Sequence, residues 1–106
     1  MVNYVQQGYV IQLQGMSVDF LVLSKDFFNK SGFSVLCPVF PKGTEAALNL
    51  RVTYGNTSGI AHLEALKSID LTARHYKIIG QLPLVEIQNA ADAVQSIFDY
   101  YPFSEI

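Results

Sequence analysis

Charged side chains are scarce in this chain. Lys, Arg, Asp and Glu make up 15% of its 106 residues, and the formal net charge is −2, whereas a typical domain is roughly 25% charged. Domains that bind nucleic acid through bulk electrostatics are usually basic, so we do not expect a nonspecific nucleic-acid binder, although a small local basic cleft is compatible with this charge. So few charges are typical of a surface that a partner partly covers.

Cysteine is almost absent, since Cys37 is the only one. A single cysteine excludes an intrachain disulfide and a cysteine-based zinc site. Cys37 lies in an apolar run over residues 33–39 and is predicted to be a buried, inert thiol. The 2 histidines and the scattered acids show no metal-ligand spacing, so we expect no metal and no other cofactor.

Targeting signals and long apolar runs are also missing. Residues 1–7 contain neither a basic stretch nor a long apolar core, which argues against a signal peptide. No apolar run approaches the ~18 residues that span a membrane. We therefore expect a cytoplasmic protein without membrane association.

The chain instead contains many short strand patterns. Its length fits one domain, which we predict over residues 1–106. Residues 19–23 form a nearly continuous apolar run, typical of a strand buried on both faces. A short helix is predicted to follow, capped by Ser24 and ended by Gly32. Pro38 is expected at a sheet edge or a bulge, because proline cannot donate to the ladder.

Later strands lead into one long helix. Residues 47–54 alternate as in a half-exposed strand, 55–59 are predicted to form a turn, and 60–66 and 76–79 complete the strands. From Pro83 onwards, apolar residues recur at helical spacing and form a stripe of Ile87, Ala90, Ala91, Val94, Ile97, Phe98 and Tyr101. The fold is predicted to be mainly β (α+β): a small, SH3-like, strongly bent barrel of five to seven strands, closed by that helix.

Several short segments follow one another in a characteristic order and spacing: Gly8-Tyr9-Val10-Ile11, Leu21-Val22-Leu23-Ser24, Phe28-Asn29 with Gly32, Lys67-Ser68-Ile69-Asp70, Ala73-Arg74 and Gly80-Gln81-Leu82-Pro83. Over residues 8–98 the chain thereby resembles the MazF/PemK toxins of bacterial type II toxin–antitoxin systems, which cleave messenger RNA. The resemblance implies a homodimer and a cognate antitoxin as partner. It also implies single-stranded RNA as a ligand or, together with the antitoxin, operator DNA.

The usual catalytic positions of that family depart from its pattern. Its loop before the second strand normally supplies an Arg followed by a Pro, and a Thr follows its Pro-containing strand. Val18 falls at the Arg position, Asp19 at the Pro position and Phe40 at the Thr position. The family's Arg stabilises charge that develops on the phosphorus oxygens, which Val18 and Phe40 cannot do. The resemblance therefore implies weak or absent cleavage by the usual route.

His62 and Glu64 are the candidate catalytic residues. Residues two apart in one strand face the same side, and some PemK-type toxins carry an Arg-x-Asp pair at this place. Ribonuclease chemistry needs a base for the 2′-hydroxyl and an acid for the leaving oxygen, and a histidine with a carboxylate can supply both. The alternative is a solvated strand face with a weak ion pair.

Five further charged residues are assigned other roles. Asp70 and Arg74 are predicted to pair across a turn and to act as a structural motif. Lys25, Lys42 and Arg51 are candidates for contacts with RNA phosphates, and scattered surface cations are the alternative.

Three functions follow from these residues. The first is a toxin of a type II pair that cleaves RNA with an altered or degenerate site. The second is a non-catalytic toxin that binds a macromolecule, as in the CcdB branch of the fold, which poisons DNA gyrase. The third is a disabled toxin that only binds DNA with its partner or regulates.

Overall fold

The structure, a computed structural model, describes residues 4–98. Its strands are β1 (Tyr9–Leu13), β2 (Asp19–Val22), β3 (Phe33–Phe40), β4 (Asn49–Tyr54), β5 (Thr57–His62), β6 (Lys67–Asp70) and β7 (Tyr76–Gln81). Its helices are α1 (Asp26–Asn29), a 3₁₀ turn (Leu71–Ala73) and α2 (Leu84–Phe98).

The strands form one strongly curled antiparallel sheet. Its order is β4-β5-β3-β2-β1-β7, and β6 pairs with β3 beside this path. The two end strands approach each other where a Cβ on Gly80 would lie 2.8 Å from the Cβ of Tyr54. The mainly β prediction is thus confirmed, with seven strands in a half-barrel, a short helix after β2 and a C-terminal helix.

Strand β3 changes partner along its length. On one side it pairs with β2, while on the other it pairs with β6 through residues 33–36 and with β5 through residues 39–40. Pro38 lies in the interval between those two partners. We predicted an edge or a bulge, but Pro38 lies at neither. The change of partner leaves a place on β3 where no backbone donor is needed.

Two apolar clusters cover opposite faces of the central strands. The first contains Val10, Leu21, Cys37, Val39, Val52, Tyr54, Ala61, Leu63, Leu82 and Ala90. The second contains Val5, Ile11, Leu13, Phe20, Val22, Leu36 and Leu71. Neighbouring residues of β2 divide between the clusters, so the prediction of a strand buried on both faces is confirmed.

Ser24 does not cap α1, contrary to our prediction. Lys25 is the N-cap residue and makes no side-chain cap bond. The Ser24 hydroxyl instead accepts a hydrogen bond from the Val35 amide, 2.9 Å away, and donates to the Asn29 amide oxygen. The Asn29 side chain is buried and donates to the carbonyls of Val5 and Ser24. Ser24 is drawn inward because it completes this buried polar network.

The hairpin from β4 to β5 turns more tightly than predicted. Only Gly55 and Asn56 separate the two strands. Gly55 has φ +61°, and no non-glycine residue described has a positive φ, which is the pattern of a type II′ turn. Strand β5 therefore begins at Thr57 and ends at His62, and the chain turns again before β6.

Helix α2 packs against the barrel over residues 87–94. Ala90 is buried, and Ile87 and Val94 pack against the first cluster. Ile97 and Phe98 are both exposed, Phe98 by 70%, so the predicted stripe is wrong at these two residues: the last turn extends past the barrel. Tyr101 lies outside the described residues. Within residues 4–98, no helix is both long and apolar enough to cross a bilayer.

Candidate active site

The side chains of His62 and Glu64 meet at the end of β5. His62 Nδ1 lies 3.3 Å from Glu64 Oε2. Glu64 lies in the turn after the strand rather than in the strand. It reaches His62 because Leu63, between them, is buried and donates its N–H to the Leu48 carbonyl at 2.8 Å. The predicted pair is therefore in contact, held by a turn.

Asn49 holds the other oxygen of the carboxylate. Its Nδ2 donates to Glu64 Oε1 at 2.8 Å, and Asn49 lies opposite His62 in the β4–β5 register. Sequence reasoning missed this residue, although the hairpin register gives the signal. Once Gly55 and Asn56 are identified as a two-residue turn, Asn49 must face His62. Both carboxylate oxygens of Glu64 are thus engaged by neighbouring side chains.

An aromatic ring supports the imidazole. The ring centroids of Phe40 and His62 lie 4.7 Å apart at 77°, an edge-on contact. The side chain of His62 is 30% exposed and that of Glu64 50%, so solvent reaches both. This arrangement is a carboxylate that orients a partly open histidine, which resembles the pairing of a general base with its orienting group.

Val18 and Asp19 have structural surroundings. Val18 packs against the second apolar cluster. The Asp19 carboxylate accepts a hydrogen bond from the Tyr54 hydroxyl at 2.7 Å. Burial and this bond to the carboxylate raise the pKa of Tyr54. Asp19 and Tyr54 therefore connect β2 to β4 across the barrel.

The three candidate cations lie on different elements. Lys25 lines a shallow depression with Gln7 and Phe27, next to α1. Arg51 lies on β4, where its Nε is 3.5 Å from Glu45 Oε2. Lys42 lies in the loop after β3, two residues from Phe40. Lys25 and Arg51 line separate depressions.

Asp70 and Arg74 do not form the predicted ion pair. Asp70 instead caps the 3₁₀ turn, where its Oδ1 accepts from the Thr72 amide at 3.0 Å and from the Thr72 hydroxyl. The Arg74 side chain is exposed, and its amide donates to the Leu71 carbonyl. Capping engages Asp70 locally, so its structural role operates through Thr72.

Metal ligands and reactive thiols do not cluster in the part of the chain that the structure describes. Between residues 4 and 98, no group of three or more His, Cys, Asp or Glu side chains could hold a metal ion. Cys37 is fully buried. Burial, with a smaller contribution from the charge of Glu64, raises the pKa of the Cys37 thiol to about 12. The fold therefore keeps the Cys37 thiol protonated and unreactive, as predicted.

Comparison with known proteins gives one family match and several structural ones. A sequence profile described as PemK-like, MazF-like toxin of type II toxin–antitoxin system matches residues 13–98. No curated protein sequence matches at a significant level.

Several solved structures match over most of this chain. A chain of the MazE–MazF crystal structure from Deinococcus radiodurans superposes with a TM-score of 0.79 at 18% identity, covering 92% of this chain and 98% of that one. An endoribonuclease in complex with its cognate antitoxin, from a mycobacterial species, gives 0.75 at 11% identity, with 92% and 99% covered. The Mycobacterium tuberculosis toxin MazF-mt6 gives 0.69 at 15% identity, with 90% and 99% covered. Identities this low show a shared fold.

Proposed function

Because the chain belongs to the PemK-like, MazF-like toxin family of type II toxin–antitoxin systems, we propose that it cleaves single-stranded RNA slowly through an altered site built on His62 and Glu64. The observation that carries this proposal is the fixed carboxylate of Glu64. Asn49 holds one of its oxygens at 2.8 Å, and the other lies 3.3 Å from His62 Nδ1. An oriented, accessible histidine is the group that RNA cleavage needs as a base.

The chemistry starts with the tautomer of His62. When Nδ1–H donates to Glu64, Nε2 carries the free electron pair, an assignment inferred from the hydrogen bond. Nε2 takes the proton of the RNA 2′-hydroxyl while the 2′-oxygen attacks the adjacent phosphorus. The bond from phosphorus to the 5′-oxygen breaks, and the leaving oxygen takes a proton from the imidazolium or from water. The products are a 2′,3′-cyclic phosphate and a 5′-hydroxyl end.

Slow turnover follows from the apolar groups around the site. Phe40 and Val18 stand where the family's charge-stabilising side chains are expected. The loss of one such donor typically costs ~10²–10³ in rate. Lys42, two residues beyond Phe40, is the cation that we assign to phosphate binding here, with Arg51 and Lys25 as contacts further along the RNA.

The test compares His62→Ala and Glu64→Gln with His75→Ala, which removes the other histidine. Each purified variant is incubated with end-labelled single-stranded RNA, cleavage and 2′,3′-cyclic ends are measured, and folding is checked by circular dichroism. We expect cleavage to disappear in His62→Ala, to fall strongly in Glu64→Gln and to persist in His75→Ala. Equal cleavage by all folded variants would refute the assignment of His62 and Glu64.

A non-catalytic toxin is the second candidate, and the contact of Phe40 with His62 favours it. An apolar ring whose centroid lies 4.7 Å from that of the imidazole occupies space next to the proposed base. Such a protein would act by binding a macromolecule, as the CcdB branch of the fold does, or by regulation with DNA. Growth arrest on expression, without RNA cleavage by the purified wild-type protein, would support this candidate against the first.

The partners that we propose follow from family membership. They are a cognate antitoxin, a second copy of the chain in a homodimer and, with the antitoxin, operator DNA, all in the cytoplasm. Two similar structures contain a toxin with its antitoxin. Sedimentation at micromolar concentration should give a dimer, and a clean species of 11.8 kDa would refute it.

A further inference from the structure

Strand β4 ends the sheet, and its outer edge is closed at two places. The Thr53 amide, on that edge, donates to Glu86 Oε1 of α2 at 2.7 Å. Four residues earlier, the amide and the carbonyl of Asn49 bond to Ala46. Thr53 and Asn49 therefore turn their peptide groups away from β5.

Arg51, midway between them, must turn the same way. Peptide groups of an antiparallel strand alternate between the two edges, so Arg51 directs both its N–H and its C=O outward. Among residues 4–98, β4 pairs only with β5 and bridges to Ala46, and neither contact reaches the Arg51 peptide. One hydrogen-bonding unit of the edge is thus open between two closed ones.

That open unit faces a groove. Its volume is about 300 Å³, and it lies between β4 and α2, with Leu50 and Val52 at its base. Glu86 and Asp92 line the helix side of the groove. On the other side, Glu45 is already paired with Arg51. Glu86 and Asp92 on the helix wall therefore carry negative charge, and no cation among the described groove residues neutralises it.

We propose that this edge binds an extended segment of a partner protein with lysine or arginine at alternate positions, which adds a short strand to β4. An unpaired edge supplies main-chain bonds to such a segment. The residue opposite Arg51 exchanges both of its peptide hydrogen bonds with it. Side chains on either side of that residue point to the opposite face, the face of Leu50 and Val52, and so towards Glu86 and Asp92.

The charge of the groove decides between possible occupants. The carboxylates on the helix wall repel RNA phosphates from the groove, so the RNA contact proposed for the Arg51 side chain lies on the other face of β4, away from Leu50 and Val52. A second copy that paired through the same edge would bring two sets of these carboxylates together. A basic extended peptide bonds to the free peptide groups of Arg51 and also neutralises the negative charge of Glu86 and Asp92. This inference is independent of the RNA chemistry proposed for His62.

The test uses a fluorescein-labelled, acetylated and amidated peptide, Thr-Lys-Val-Lys-Thr, and measures its anisotropy with the full chain. We expect saturable binding. N-methylation of the central Val removes the N–H that the Arg51 carbonyl would accept, and it should weaken binding about tenfold. A Thr-Glu-Val-Glu-Thr peptide should not bind. No binding of the lysine peptide up to about 1 mM, or equal binding of the N-methylated peptide, would overturn the proposal.

Protein variants locate the site. Asp92→Asn should weaken binding about two- to fivefold, while Asp26→Asn, which removes an exposed carboxylate of α1, should not change it.

Arg51→Pro removes the outward N–H, and an edge strand tolerates proline at such a position. Arg51→Ala is its matched control. We expect Arg51→Pro to bind more weakly than Arg51→Ala, with both folded by circular dichroism. Equal affinities for the Asp92 and Asp26 variants would place the peptide elsewhere and refute the site. Because the N-methylated peptide needs no variant, the proposal stays testable even if Arg51→Pro does not fold. His62→Ala should bind the peptide normally whether or not it cleaves RNA.

Discussion

Replacing Glu86 by alanine should loosen the junction between α2 and the end strand of the sheet. Both oxygens of this carboxylate are engaged: Oε1 accepts from the Thr53 amide at 2.7 Å, and Oε2 accepts from the Thr53 hydroxyl at 2.8 Å. The contact joins residues 33 positions apart in sequence. It also places a negative charge in the first turn of α2, where the helix dipole favours it.

The expected loss follows from these two bonds. A hydrogen bond to a charged group contributes about 1.5–3 kcal/mol. Both bonds are only partly buried, so solvent offsets part of the loss, and we expect about 2 kcal/mol for Glu86→Ala. For a domain of this size that lowers Tm by about 8–10 °C. Glu86→Gln keeps one acceptor oxygen but loses the charge, so we expect roughly half of that effect.

Thermal melts followed by circular dichroism would measure both variants. Asp92→Ala is the matched control, because it removes an exposed carboxylate from the same helix and should leave Tm within about 2 °C of the wild type. If Glu86→Ala melted like Asp92→Ala, the attachment of α2 to β4 would not depend on this carboxylate. If Glu86→Gln lost as much as Glu86→Ala, the negative charge rather than the number of bonds would decide the stability.

Two further predictions concern buried groups. Tyr54→Phe leaves Asp19 Oδ2 without the hydroxyl that donates to it at 2.7 Å, so urea denaturation should show a loss of about 1 kcal/mol; an unchanged midpoint would contradict it. Burial raises the pKa of Cys37 from 9.0 to about 12, so iodoacetamide should label the unfolded protein at about pH 8 much faster than the folded one. Because the unfolded thiol ionises first, this group's stabilisation should fall as pH rises from 9 towards 12, and rapid labelling of the folded protein would refute its burial.

Local patterns predicted the strands better than the connections between them. The apolar run at residues 19–23 correctly indicated burial on both faces. The turn at Gly55 was predicted too long, because its Gly-Asn order lacks the Asn-Gly signature although type II′ turns accept it. Strand β6 was missed, since it pairs only with the first part of β3, and no local pattern reports that partner. Phe98 fits the helical stripe, but spacing alone does not tell where the barrel ends.

The candidate site was predictable only in part, for a similar reason. The contact between His62 and Glu64 followed from spacing, although a turn rather than a strand makes it. Asn49 lies 15 residues from Glu64 in sequence and enters the site through the hairpin register. Asp70 and Arg74 were predicted to pair from their spacing alone, whereas the Asp70 carboxylate accepts a hydrogen bond from the nearby Thr72 amide in the 3₁₀ turn. The hairpin register decides the place of Asn49, whereas local turns decide the partners of Glu64 and Asp70.

Under the proposed function, the His62–Glu64 pair would supply only one of the contributions that RNA cleavage needs. Proton transfer by a positioned side chain is worth about 10²–10⁴ in rate, and Glu64 and Asn49 orient His62 for that task. Stabilising charge on the phosphorus oxygens is a separate contribution of ~10²–10³ for each donor, and Phe40 donates nothing. Because the two contributions multiply, an oriented base alone leaves the reaction slow. A polar donor in place of Phe40 would supply the missing contribution next to an imidazole that is already held, so Phe40→Thr should raise cleavage in the wild-type background and not in His62→Ala. A rise that is equal in both backgrounds would mean that the threonine acts without the histidine, and the catalytic role of His62 would have to be abandoned.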